Sequence, residues 1–216
     1  MNNLTEILQK SASRHRHLCP RQVLGARMGI LAGKLLKIDL PRQDKRLLII
    51  AETDGCTVDG LIASTGCHVG GRTLRILDFG KVAATFVNIQ TDETIRIVPN
   101  SDIRFLAGNY AFQAKNKWES MLQGYQQMPD DVLFKIIQVK LSVSIKEILS
   151  RAGKKAICEV CDEEIINGRE VIHNTRVLCQ ACVGNPYYQV LETINISNYS
   201  VEMFERVSRR FSTKTR

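Results

Sequence analysis

Cys158, Cys161, Cys179 and Cys182 form two C-x2-C pairs within CEVCDEEIINGREVIHNTRVLCQAC. Thiolates are soft donors, and zinc takes four such ligands in a tetrahedron. One pair sets two sulfurs on a tight knuckle, and the second pair closes the shell. Asn167-Gly168 and Asn174-Thr175 are turn signals between the pairs, so short hairpins can bring the two knuckles together. His173 also lies between them, but four sulfurs fill the coordination sphere, and it is expected on an exposed hairpin. One structural zinc per chain is the reading favoured over redox C-x2-C chemistry. So small a module cannot bury enough surface to fold unaided, and bound metal would supply the missing stability.

A second group of candidate residues lies near the start, in RHRHLCPRQ. Cys19 immediately precedes Pro20, and proline suits the first position of a helix. Unpaired N–H groups at a helix start favour a thiolate. Cys56 has a similar place after Asp54-Gly55, while Cys67 and His68 follow Gly66 at the far end of the same predicted helix. His17 is a candidate ligand or base, and Cys19 a candidate ligand or nucleophile. These donors could hold a second metal in the core. The plainer reading, isolated cysteines as small buried apolar residues, stands beside this one.

The elements that position these groups follow from periodicity. Residues 1–10 are amphipathic, and Pro20 to Ile38 carries Leu24, Met28, Leu31, Leu35 and Ile38 on one helical stripe. Gly25, Gly29 and Gly33 form a second stripe at spacing four. Each glycine costs about 1 kcal/mol relative to alanine, which makes sense if another backbone packs closely there. RLLIIAE (46–52) has strand length, and CTVDGLIASTG (56–66) is helical with Gly66 as its cap. TLRILDFG, KVAATFVNIQ and TIRIVPN are three further strands. Residues 101–126 are mainly helical, with Trp118, Met121, Leu122 and Tyr125 marking the buried side. LFKIIQVKLSV (133–143) is another strand, and KEILSRAGKKA (146–156) a short helix and linker. The expected fold is α+β, a mixed or antiparallel sheet with packed helices plus a small C-terminal zinc finger. The expected organisation is a core over 1–150, a linker over 151–157, the finger over 158–190 and an extension over 191–216.

The chain has 216 residues, 44% of them hydrophobic, and seven cysteines. No run approaches the roughly 18 apolar residues of a membrane helix. The first segment lacks the charged start and apolar block of a secretory signal. An odd cysteine count with paired C-x2-C favours thiolate chemistry over disulfides, and a cytoplasmic location is expected. Residues 1–46 carry most of the net charge of +8, whereas the finger is acidic. A nucleic-acid-binding protein is therefore an alternative, but the acidic finger is a poor phosphate partner, and no sequence-specific nucleic acid is expected. A third reading is a scaffold protein whose finger docks a protein partner or a second copy, a homodimer included.

HRHLCP followed by LGARMG, then DGCTVDGLIASTGCHVGG and LDFGKVAATF, resembles the FmdE family of formylmethanofuran dehydrogenase components. In that family an H-x-H-x-C-P-G element, a C-x-x-D-A/G helix, a T-G-C-T turn and a D-Y-G-K-x-A strand recur in this order. The resemblance spans about residues 5–185 and implies an α+β core, sometimes followed by a treble-clef finger. It points to His15, His17, Cys19, Cys56, Asp59, Cys67 and Lys81 around a shared cleft that takes a small-molecule or cofactor ligand. It also implies a link to one-carbon or molybdopterin-linked metabolism, the reduction of CO2 onto methanofuran. Arg21 stands where the family has glycine, and His68 where it has threonine.

Overall fold

A computed structural model of the chain describes residues 3–13, 17–145 and 153–193. The chain divides into two compact units, Met1–Ile145 and Lys146–Arg216. In the first unit, α1 (Leu4–Ala12) and α2 (Pro20–Leu35) precede β1 (Leu47–Ala51), α3 (Cys56–Thr65) and β2 (Leu74–Ile76). β3 (Ala84–Asn88), β4 (Thr94–Pro99), the one-turn α4 (Ile103–Leu106) and a 3-10 turn over Ala107–Tyr110 follow. α5 (Lys117–Gln127), α6 (Asp130–Leu133) and β5 (Phe134–Gln138) complete it. The sheet is mixed, in the order β2-β1-β3-β4-β5. β1 and β2 are parallel, with α3 in the crossover connection that a parallel pair needs, and the other pairs are antiparallel.

All five residues of β1 are buried, the pattern of a central strand covered on both faces. Ile49, Phe86 and Ile95 stand in register across three strands and share one apolar core with the helices. α2 is buried almost all round, Val23, Ala26, Met28 and Ala32 being fully enclosed. Its expected stripe fails at the C-terminal end. The helix stops at Leu35 and the chain turns through Lys37 at φ 52°, so Leu36 is buried and Leu35 is 40% exposed.

The close neighbour implied by the glycine stripe is α3. A Cβ on Gly25 would lie 2.0 Å from the Thr57 carbonyl oxygen, and one on Gly60 of α3 would lie 2.2 Å from that of Gln22. The two helices therefore touch backbone to backbone near their N-terminal ends. Arg27 fastens the other side of α2. Its guanidinium donates to the carbonyls of Tyr125 (2.8 Å) and Met128 (2.5 Å) and to the Asp130 carboxylate (2.5 Å).

Three further expectations need correction, two in this unit and one in the next. Strand β2 ends at Ile76, because Leu77 and Phe79 turn to donate to the carbonyls of Ala51 and Glu52. Trp118 is not on a buried side. It is 43% exposed, while Tyr125 on the same helix is buried. The helix expected over 146–156 lies largely outside the described residues, and its end is strand instead.

The second unit holds β6 (Lys155–Ile157), β7 (Glu164–Ile166), β8 (Val171–His173) and β9 (Arg176–Leu178). β6 pairs with β7 and β8 with β9. The first hairpin turns on the Cys158–Cys161 knuckle itself, and Asn174-Thr175, both at positive φ, turn the second. Asn167-Gly168, also at positive φ, lead from one hairpin to the next. The fully enclosed apolar set is only Cys158, Ile165 and Leu178 among the described residues. Among the described residues no helix is long and apolar enough to cross a membrane.

Candidate functional site

Cys19 is the N-cap of α2, and Cys56 is the first residue of α3. Since Gly25 and Gly60 let these helices meet near their starts, the two heads converge. The Cys19 thiol lies near enough to Cys56 to act on its ionisation, and both residues line a cleft of about 810 Å³. Cys19 is held by its own helix. The Gln22 side chain accepts the Cys19 N–H at 2.7 Å and donates to the Ser11 carbonyl at 3.2 Å, so a fully buried amide joins α1 to the thiol's backbone. Residue three of a helix reaching back to the N-cap is a capping-box arrangement. A glutamine three positions after Cys19 was the sequence signal for it.

The helix start does not lower the Cys56 pKa. Burial, then the adjoining Cys19 and the Asp59 carboxylate, push it above the ordinary thiol value. Desolvation and a second thiol outweigh the few N–H dipoles at the α3 head. Cys56 is therefore held as the neutral thiol more firmly than a free cysteine, and a cation binding there would have to displace its proton.

The other expected site residues separate. Lys81 lines the same cleft. His17 stands at its edge, its ring 6.4 Å from that of Trp118, a cleft residue. Asp59 contributes its charge to Cys56 from one turn along α3. His15 lies outside the described residues. Cys67 does not reach the cleft. After the left-handed Gly66 the chain passes under β1, where the Cys67 thiol is 1% exposed and donates to the Leu47 carbonyl at 3.6 Å. Burial pushes its pKa up. It is a packing residue.

Lys81 is presented by a braced loop. Glu52, at the end of β1, accepts the N–H groups of Phe79 and Lys81 on its carbonyl and donates its own to Ala83. Its carboxylate takes Arg96 Nε at 2.5 Å and Nη2 at 2.7 Å, and this bidentate pair holds the acid below the usual carboxylate range. Nothing in the sequence marked Glu52 beyond an acid ending an apolar strand. Arg21, Arg104 and Trp118 also line the cleft.

In the second unit the sulfurs of Cys158, Cys161, Cys179 and Cys182 all lie within 4.8 Å of one another. Cys161 and Cys179 are 3.9 Å apart, close to the ~3.8 Å edge of a tetrahedron with Zn–S bonds near 2.3 Å. The donor set fits a tetrahedral metal. Backbone N–H groups aim at it, from Cys179 to the Cys158 sulfur (3.3 Å) and from Cys182 to that of Cys179 (3.4 Å). Such donors, that of Cys161 foremost, bring the Cys158 pKa down to about 6, whereas its neighbours, Cys179 first, push Cys182 up to about 12. Glu159 locks the first knuckle to β9 by exchanging hydrogen bonds with Val177. His173 is exposed on β8, outside the sulfur cluster.

The family described as FmdE, molybdenum formylmethanofuran dehydrogenase operon, matches residues 14–135. The chain belongs to the FmdE family. A crystal structure of a tungsten formylmethanofuran dehydrogenase FmdE-like protein from Syntrophus aciditrophicus has the same fold. Its TM-score is 0.58 at 21% identity, over 87% of this chain and 96% of that one. A probable S-adenosyl-L-methionine-binding protein of Archaeoglobus fulgidus is 27% identical over 211 residues, or 88% of this chain and 56% of the relative. The chain thus spans a little over half the length of that curated relative. The FmdE match contains the whole cleft and stops before the four-cysteine cluster, which this FmdE-family chain carries beyond it.

Proposed function

We propose that this is a cytoplasmic metal-binding FmdE-family protein that serves formylmethanofuran-dehydrogenase-linked one-carbon metabolism. Cys19 and Cys56, with His17 at the edge, form its working site, and the second unit is a zinc-stabilised finger. The observation that carries the reading is the pairing of a buried Cys19 and a half-buried Cys56 at converging helix heads, both lining one cleft large enough for a small molecule. Two thiols and an imidazole are donors for a soft metal. When bound, the metal would act as a Lewis acid toward a ligand in the cleft. Cys19 and Cys56 would hold it, and Gln22 would fix the Cys19 backbone.

Metal content of the reduced full chain tests this. Two equivalents are expected, falling to one in Cys19→Ser and Cys56→Ser. Zinc in the finger would show as one equivalent retained in both variants, with four-thiolate absorption after cobalt exchange. A wild-type chain that never exceeds one equivalent would remove the core site from the proposal.

A further inference from the structure

Among the described residues the cleft lining is cationic, which the thiol pair does not explain. Arg21, Lys81 and Arg104 line it, and no aspartate or glutamate among the described residues does. None of the three has an ion-pair partner among the described residues. The carboxylate that acts on Lys81, that of Glu52, is spent on Arg96 through two hydrogen bonds. Arg104 meets the Tyr125 phenol, which is no counter-charge. Three like charges around one concave, partly apolar surface repel one another, and such a surface concentrates anions.

The remaining walls specify more than charge. Trp118 is the chain's single tryptophan; it is 43% exposed and lines the cleft. His17 stands beside it at an interplanar angle of 58°. Leu24, Val98 and Met121 supply apolar wall. A volume of about 810 Å³ falls within the roughly 300–1,000 Å³ of small-molecule sites, which combine an apolar lining with a few placed polar groups.

We propose that the cleft binds a small aromatic oxyanion, its ring against Trp118 and its carboxylate or phosphate held by Lys81, Arg21 and Arg104. This names the ligand class of the cleft and rests on the reading of that cleft as the working site. The braced loop supports it: Glu52 fixes the Lys81 backbone while its carboxylate is committed to Arg96.

Quenching of Trp118 fluorescence in the reduced full chain, corrected for absorption by the probe, tests the proposal. 4-Nitrobenzoate, 4-nitrophenyl phosphate and neutral nitrobenzene are the probes. At least one anion is expected to quench saturably and to weaken as salt is added, with nitrobenzene much weaker; the better anion identifies the oxyanion. Loss of one charge-assisted hydrogen bond predicts about tenfold weaker binding in Lys81→Met, with Lys81→Arg restoring much of it. Cobalt titration of the same samples reads the thiol pair separately. A Lys81→Met protein that keeps cobalt and loses the anion supports the inference. Equal binding of nitrobenzene, or no saturable quenching by either anion, overturns it. Cobalt uptake without anion binding would overturn this inference alone and leave the metal site standing.

Discussion

The convergence of Cys19 and Cys56 depends on two glycines, so Gly60→Ala should damage stability and site together. Alanine in place of a mid-helix glycine ordinarily stabilises by about 1 kcal/mol. At position 60 the new methyl would lie 2.2 Å from the Gln22 carbonyl oxygen and 2.6 Å from the Ala26 nitrogen. Both are backbone atoms inside a helix, and neither can rotate aside. The helices must part by about 1 Å to reach even a tight contact, and overpacking of this kind costs about 1–3 kcal/mol. Several contacts on one rigid backbone place this case toward the upper end, so a net loss of about 1–2 kcal/mol is expected. That corresponds to a melting temperature lower by roughly 3–6 °C for a chain of this size. Urea unfolding should show a lower midpoint at unchanged slope. Cobalt binding at the core pair should weaken, because Gln22 and Cys19 ride on the displaced helix. Gly108→Ala is the control, since nothing lies within 4 Å of a Cβ there. If Gly60→Ala matches Gly108→Ala in stability and still binds cobalt normally, the backbone contact does not set the site.

Cys161→Ser, or chelation of the wild type, should unfold residues 155–183 by hydrogen exchange while the first unit keeps its protection, because the three enclosed apolar residues among those described cannot hold this hairpin pair alone. Glu52→Gln should cost about 1.5–3 kcal/mol at neutral pH, the range for hydrogen bonds to charged groups. The folded pKa of Glu52 is lowered, so its contribution is present above the unfolded value near 4.3 and fades as pH falls through the folded value. Urea midpoints of wild type and variant should therefore converge below about pH 4. Metal-free Cys56 should label with a thiol reagent more slowly than free cysteine at neutral pH and accelerate only above its ordinary value of 9.0, as mass spectrometry of labelled peptides would show. Cys67 should stay unlabelled until the core unfolds.

What could be read from the sequence was what chemistry writes locally. Two C-x2-C knuckles state their ligand set within about twenty-five residues, and Cys19-Pro20 states a helix start. The glycine stripe on α2 announced a close neighbour, though naming α3 needed Gly60, which has no stripe of its own. Cys67 misled because a thiol just past a helix cap looks like a site residue until the αL turn at Gly66 sends it beneath β1. Trp118 misled for a related reason. Helical periodicity counts an aromatic ring as core, whereas this ring faces a cavity bounded by residues from separate stretches of the chain. The cationic lining was unreadable for the same reason: Arg21, Lys81 and Arg104 come together only through tertiary packing.

Arg27 ties the second helix of the chain to carbonyls about a hundred positions later. The cleft shares that long closure, since its walls come from both ends of the first unit. Closing so large a loop is entropically costly, and contacts of such separation are made late in folding. During synthesis Cys19 and Cys56 emerge before Trp118, Met121 and Tyr125, so their shelter is complete only once those later walls of the cleft have been made. Until that shelter forms, both thiols of the nascent chain stand open to oxidation, whereas in the folded protein Cys19 is buried. Early capture of a metal ion by the pair would guard against it.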